Sequence, residues 1–235
     1  MVTNKVMSEM NPRSPVAEAF RILRTNLHFS TLDHDLKSLL ITSPGPSEGK
    51  STITANLGIV MAQTGARVIL VDCDLRRGEQ HRLFNLPNEK GLANLLAGSM
   101  EIGEVLRNTR LPTLKIITSG PAPLNPAELL GSGKITSLLA DLSEMVDFVL
   151  IDSPPALMVA DAAILSSIVD GCILVIRTAQ TKIEAVKQAK ERLDKANARI
   201  VGTVLNAVEG FIGYDYYDSY YCGKKHRKEI ATCKM

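Results

Sequence analysis

Lys37 to Thr52 read Lys-Ser-Leu-Leu-Ile-Thr-Ser-Pro-Gly-Pro-Ser-Glu-Gly-Lys-Ser-Thr, and the rest of the chain is organised around this stretch. Ser38 to Thr42 is a short apolar run with β propensity. Ser43 to Glu48 holds the Pro, Gly and Ser of a tight loop. From Lys50 the pattern turns helical, with Ile53, Leu57, Val60 and Met61 on one side. Strand, loop and helix in that order make a phosphate-binding element. The unpartnered amides at the helix start and the helix dipole both favour an anion there.

Gly49-Lys50-Ser51 satisfies the end of the G-x-x-x-x-G-K-[ST] consensus, while Pro44 stands where the first Gly is asked for and Gly45 is one place late. In this reading Pro46, Ser47, Glu48, Gly49, Lys50, Ser51 and Thr52 surround a nucleotide. Lys50 supplies charge to the terminal phosphates and the Ser51 hydroxyl holds Mg²⁺. The plain alternative is a lysine beside the N-cap of an ordinary βα unit.

Composition narrows the class. The 235 residues suit one α/β domain with tails, and a hydrophobic content of 45% is enough for a full core. A net charge of +2, no Trp and five Phe give neither the field nor the stacking surface that nucleic acid binding needs. No apolar run approaches the ~20 residues of a membrane span and no signal-peptide pattern opens the chain, so a cytoplasmic protein is expected. Cys73, Cys172, Cys222 and Cys233 form no C-x-x-C pair, and zinc has no support. Cys73 and Cys172, in apolar contexts, are expected to be buried and inert. His28, His34, His81 and His226 are scattered with no visible partner and are expected at the surface.

Taken in order, residues 1–14 read as a flexible arm, residues 15–209 as the folded domain and residues 210–235 as a mobile tail. Ser14-Pro15 looks like an N-cap followed by Pro at the first helical position, with a helix running to about Phe29. On it Glu18, Arg21 and Arg24 recur at a spacing that makes them surface neighbours: a solvated charged face, or a contact to another subunit. Arg67 to Val71 is a second strand that ends in Asp72-Cys73-Asp74-Leu75-Arg76-Arg77. Two carboxylates at the carboxyl end of a parallel strand would face a ligand crevice. Gly91 to Arg107 reads as a helix broken near Gly98, and Leu114 to Thr118 as a strand. A rigid Pro-rich loop follows up to Pro126, then a helical turn at Ala127 to Leu130 and a helix from Ser132 to Met145. Asp147 to Ser153 is an apolar strand ending in Asp152, a Walker B pattern whose carboxylate orients Mg²⁺ or its water. Cys172 to Ile176 and Ile200 to Leu205 are further buried strands, with a helix from about Lys182 to Ala196 between them. The alternation predicts an α/β P-loop NTPase fold: a mainly parallel central sheet flanked by helices on both faces.

After Asn206 the composition changes. Tyr214, Tyr216, Tyr217, Tyr220 and Tyr221 are all the tyrosines of the chain, and they sit among aspartates ahead of a basic end. Such a segment is a docking patch or a cluster of phosphoacceptors; full phosphorylation would add about −8 to −10 of charge.

Together these pieces resemble the bacterial tyrosine kinases of capsular and exopolysaccharide synthesis, in their stand-alone cytoplasmic form. The resemblance runs over nearly the whole chain. It rests on Glu18-x-x-Arg21-x-x-Arg24, Pro46-Ser47-Glu48-Gly49-Lys50-Ser51 and Asp72-Cys73-Asp74-Leu75-Arg76-Arg77. It rests also on Gly120-Pro121-x-Pro123-x-Asn125-Pro126-x-Glu128-Leu129-Leu130, Asp152-Ser153-Pro154-Pro155 and the tyrosine cluster. It implies ATP and ADP as nucleotides and Mg²⁺ as the metal, held by Ser51, Asp72 and Asp152. Lys50, Asp72, Asp74 and Asp152 are the implied catalytic groups, one of Asp72 and Asp74 polarising the acceptor hydroxyl, and Asn206 the implied adenine contact. It implies a homo-oligomeric ring through Glu18, Arg21 and Arg24, with one subunit's tyrosines entering a neighbour's site. A transmembrane modulator that recruits the chain to the inner face of the membrane, a cognate tyrosine phosphatase and further protein substrates are the implied partners. Two positions depart from the family pattern: Ser47 replaces a Gly, which would be strained if the loop needs positive φ, and Gly78 replaces a Pro. The rival readings are an ATPase switch of the septum-site or partitioning type and a non-catalytic nucleotide-binding adaptor. The switch proteins carry a lysine where this chain has Gly45, and they lack the tyrosines.

Overall fold

The computed structural model describes residues 14–30 and 36–208. The N-terminal arm before Ser14 and the tyrosine tail fall outside the described residues. Along the chain run α1 (Pro15–Ser30), β1 (Ser38–Thr42), α2 (Lys50–Ala62), β2 (Val68–Asp72), α3 (Gln80–Leu83), α4 (Leu92–Leu96), α5 (Ile102–Val105) and β3 (Leu106–Asn108). Then come β4 (Leu114–Ile117), α6 (Pro126–Leu130), α7 (Gly133–Met145), β5 (Phe148–Asp152), α8 (Asp161–Ser166), β6 (Gly171–Arg177), α9 (Ile183–Lys195) and β7 (Ile200–Asn206). The strands form one seven-stranded sheet in the order β3-β4-β2-β5-β1-β6-β7. Every pairing is parallel except that of β3 with β4.

Strands β1, β2, β5 and β6 are apolar on both faces because helices cover both. β7, expected to be buried, is an edge strand with no fully buried residue, and Leu205 on it is exposed. In β1, Leu39 and Ile41 pack toward α2 and α1 together with Leu57, Val60, Ala17 and Phe20. Leu40 points the other way, into the cluster built with α7, α8 and α9 through Leu138, Leu142, Leu165 and Leu193. Alternation of side chains along a strand makes one run of residues serve two cores. The same holds in β5, where Leu150 faces the first cluster and Val149 and Ile151 the second. Among the described residues no helix is long and apolar enough to cross a membrane.

Three further local expectations need correcting. The helix expected over 91–107 does break around Gly98, into α4 and α5, but its last residues belong to β3, an antiparallel edge strand whose register pairs Leu106 with Ile117. Tertiary pairing with β4 overrides the local helical pattern there. His81 is half-buried rather than at the surface, and desolvation, with Arg82 beside it, pulls its pKa below the ordinary value. His28 is exposed as expected, while His34 and His226 lie outside the described residues. Arg24 is not only a surface charge: its Nη1 donates to the Val60 carbonyl at 3.0 Å, tying α1 to α2. Glu18 and Arg21 form the expected ion pair at 2.9 Å. Cys73 and Cys172 are buried free thiols, and burial pushes Cys172 up to about 12.

Candidate active site

Parallel strands all end on the same edge of the sheet, so the loops after β1, β2, β5, β6 and β7 converge. They bound a cleft of about 590 Å³, within the range of small-ligand sites, with Pro46, Ser47, Lys50, Thr52, Asp74 and Asn206 on its wall. The loop after β1 turns through two left-handed residues, Ser47 at φ 61° and Gly49 at φ 93°. The strain foreseen for Ser47 is therefore present, and it costs roughly 1 kcal/mol relative to a residue without Cβ. Gly49 is fixed by contact as well as by φ: a Cβ there would collide with the Asn206 side-chain amide.

The loop is held by its own side chains and by strand ends. Glu48 is buried, and its Oε1 accepts from the Gly45 amide at 2.9 Å. Asn206 Nδ2 donates to the Glu48 carbonyl at 2.8 Å and Arg177 Nη1 to the Ser47 carbonyl at 3.2 Å. With the carbonyls of Ser47 and Glu48 bonded backwards, the P-loop keeps its cradle form. Asn206, the implied adenine contact, lies on the cleft wall and also shapes the loop; its Oδ1 accepts from the Ala207 amide at 2.9 Å.

Lys50 is the hub of the charged groups. Its Nζ lies 3.2 Å from Asp74 Oδ2, 3.8 Å from Asp152 Oδ1 and 3.1 Å from Ser51 Oγ. Asp72 and Asp152, the last residues of neighbouring strands β2 and β5, are paired in register and fully buried. Asp72 spends its oxygens on backbone: Oδ1 accepts from the Asp74 amide at 3.2 Å and Oδ2 from the Gln80 amide at 3.0 Å. It folds the 72–80 loop back so that Asp74 lines the cleft. Burial, with the Asp152 charge added, drives the Asp72 carboxyl well above its ordinary pKa; burial raises Asp152 too, against the pull of Lys50. Burial by itself would lower the Lys50 pKa. The charges of Asp152, Asp74 and Asp72 outweigh it and raise the pKa, so the ammonium stays charged.

Sequence reasoning missed three residues. Gln80 is fully buried; its Nε2 donates to Asp152 Oδ2 at 2.8 Å and to the Ser51 carbonyl at 3.0 Å, joining the two strand ends to the P-loop helix. No sequence pattern marks a bridging amide of this kind. Asp161 is buried at the start of α8 and takes Arg76 in a two-point contact at 3.0 and 3.3 Å, so Arg76 is committed inside the chain. Arg177, at the end of β6, could have been suspected from its strand-end position alone. The other departure, Gly78, is also explained: a Cβ there would collide with Ser119 and with Asp72 Oδ2.

The residues suit a divalent cation of the hard, oxygen-liganded kind. Asp152 Oδ1 is buried with no hydrogen-bond partner, near the Ser51 hydroxyl that also meets Lys50. Among the described residues no cluster of three or more His, Cys, Asp or Glu forms a self-sufficient metal site. That is the donor set expected of Mg²⁺, which takes one or two protein oxygens and completes its shell with phosphate and water.

Comparison with known proteins fits this geometry. A family model described as an AAA domain matches residues 45–205. The chain is 39% identical over 214 residues to the tyrosine-protein kinase YwqD of Bacillus subtilis, covering 90% of each chain. This chain belongs to the bacterial tyrosine kinases. The kinase domain of the Escherichia coli tyrosine kinase ETK superposes with a TM-score of 0.84 at 36% identity, covering 88% of this chain and 82% of that one. The chimerical protein CapA2B2 superposes with a TM-score of 0.82, also at 36% identity, covering 87% and 90%. The fold is thus that of P-loop NTPases, as the strand–loop–helix opening implied.

Proposed function

We propose that this tyrosine kinase transfers the terminal phosphate of ATP to its own C-terminal tyrosines, Tyr214, Tyr216, Tyr217, Tyr220 and Tyr221, on a neighbouring copy in a ring. The observation that carries the proposal is the convergence of Lys50, Ser51 and Asp74 on the wall of one cleft, with the buried Asp152 beside Lys50. Gly49, Lys50 and the amides opening α2 would bind the phosphates, with Lys50 leaving its carboxylates for them. Ser51 and Asp152 would hold Mg²⁺, with Asp72 adding charge behind them; the ion, when bound, neutralises phosphate charge as it develops. Asp74 is the carboxylate best placed to accept the phenolic proton, since it lines the cleft while Asp72 is fully buried behind it. The tyrosine O–H bond breaks toward Asp74, the phenolic oxygen takes the phosphoryl group and ADP leaves with the bridging oxygen. Tyrosine has a reference pKa near 10, so this proton acceptance is what neutral-pH transfer requires.

Ring assembly would use α1. Ile22 is 50% exposed and Phe29 64% exposed on that helix, which also carries the Glu18–Arg21 pair. A membrane-spanning modulator that brings the chain to the inner face of the membrane, a phosphatase that resets the tyrosines and control of polysaccharide export complete the reading. Equal activity with and without a modulator's cytoplasmic tail would remove the modulator from it. Transfer between copies is tested by mixing unlabelled wild type with ¹⁵N-labelled Lys50→Met in ATP and Mg²⁺. Phosphate on the heavy tyrosines is expected; phosphate on light chains alone would mean transfer within one chain. ATP hydrolysis with clean tyrosines would make the protein a switch ATPase.

A further inference from the structure

A second cleft, of about 490 Å³, adjoins the first, and Arg77 and Glu79 lie on the wall of both. Its far wall is the 119–122 loop. Asn88 pins that loop by donating from Nδ2 to the Gly120 carbonyl at 3.0 Å and accepting at Oδ1 from the Gly120 amide at 2.9 Å. The cleft is therefore built, not a gap between mobile loops. Its ionisable side chains are mostly cationic. Arg76 is immobilised by Asp161, Arg82 reaches Glu79 at 3.1 Å across an exposed contact, and Arg77 has no side-chain partner among the described residues. An exposed pair such as Arg82–Glu79 is weak and exchanges readily for a better anion. The Arg77 amide donates to Asp74 Oδ1 at 2.9 Å, so the basic cleft begins directly beside the carboxylate assigned to the phenolic proton.

A peptide with its tyrosine at Asp74 would lay its neighbours, at about 3.3 Å per residue, across this cleft. The tail segment 210–221 has the matching charge: Asp215 and Asp218, no Lys or Arg, and every tyrosine within three residues of an aspartate. We propose that the cleft lined by Arg77, Arg82 and the 119–122 loop is the acceptor-peptide subsite, and that it selects carboxylates flanking the tyrosine. This rests on the kinase reading of the adjoining cleft. Charge matching of this kind acts chiefly on encounter and register, so it belongs in KM more than in kcat.

The test uses full-length protein and two synthetic peptides, residues 210–221 as they stand and the same with Asp215→Asn and Asp218→Asn. Peptide phosphorylation gives kcat and KM; anisotropy of the fluorescein-labelled peptides, with a non-hydrolysable ATP analogue present, gives binding without turnover. Neutralising the aspartates is expected to raise KM roughly five- to tenfold with kcat little changed, an effect that shrinks at about 0.5 M salt. Arg82→Ala should raise KM for the acidic peptide and erase the difference between the two; Arg82→Lys should restore part of it. Equal KM and equal binding of both peptides on the wild type would overturn the proposal, as would an Arg82→Ala penalty that falls equally on both. Charge-selective binding without any transfer would keep the subsite and sink the kinase reading, whereas transfer indifferent to charge would sink the subsite alone.

Discussion

Strand β5 has an aspartate at each end, and the two behave in opposite ways. Asp147, just before the strand, is exposed and accepts from the Arg67 amide at 2.8 Å and from Arg67 Nη2 at 2.7 Å. Those hydrogen bonds hold its carboxyl below the ordinary pKa. Asp152, five residues on, is fully buried, has one oxygen without a hydrogen-bond partner and is raised by burial. Asp170 also ties down a strand start, beside β6: its Oδ2 accepts from the Lys37 amide, the Ser38 amide and the Ser38 hydroxyl at 2.7 to 3.0 Å. Asp72, at the end of β2, shares the full burial and the raised pKa, although both its oxygens accept from amides. Carboxylates at the amino edge of the sheet finish strands. Those at the carboxyl edge are crowded together against one ammonium, an arrangement that stability alone does not favour. The lesson is that one residue type on one strand is structural or functional according to the edge it occupies.

The comparison can be broken from either side. The largest effect is expected from Lys50→Met, which removes the cation for both the carboxylates and the phosphates. Phosphotyrosine formation should fall by about 10³-fold or more, read by mass spectrometry after incubation with ATP and Mg²⁺. Gly78→Ala comes next, because its Cβ enters the space of Ser119 and Asp72. A loss of about 1–3 kcal/mol in denaturant unfolding is expected.

Asp152→Asn should abolish transfer and yet raise the melting temperature by about 2–4 °C without nucleotide, since the charges of Asp72 and Asp74 alone then face Lys50. The sign with pH follows from its raised pKa. In the folded state Asp152 holds its proton above the pH at which the unfolded chain releases it, so the burial penalty grows as pH rises from the ordinary carboxylate range. The gain from Asn should therefore be larger at neutral pH than near pH 4. Asp147 has the opposite sign. Its lowered pKa contributes stability above the ordinary carboxylate range that is lost as pH falls through the folded value. Asp147→Asn should lower the melting temperature by no more than about 2 °C, a screened surface contact, and leave activity unchanged. The smallest change is expected from Ser47→Gly. Relief at φ 61° is opposed by the greater freedom of Gly in the unfolded chain, for a net gain under about 1 kcal/mol in the same unfolding measurement.

Much of this was legible in the sequence, for identifiable reasons. β1 and the start of α2 fall where the apolar run and the Gly-Lys-Ser boundary put them. Buried parallel strands announce themselves as continuous apolar runs, and the acids that follow them point to the carboxyl edge. What escaped was set by contacts distant in sequence. β3 is three residues long and exists through its pairing with β4. Gln80 matters because it spans Asp152 and Ser51, residues 72 and 29 positions away. Arg24, read from spacing as a surface charge or a contact to another subunit, is bound by the Val60 carbonyl, and Arg76, read only as part of its motif, is bound by Asp161. The requirement for Gly78 is likewise a close approach across the fold, invisible in a local pattern.

The most direct test incubates wild type, Asp147→Asn and Asp152→Asn with ATP and Mg²⁺ and counts phosphotyrosine at positions 214–221 by mass spectrometry, with melting curves on the same samples. Phosphate on the wild type and Asp147→Asn, with a clean but thermally stabler Asp152→Asn, is the predicted result. Equal phosphorylation of all three, or a clean wild type, would contradict it.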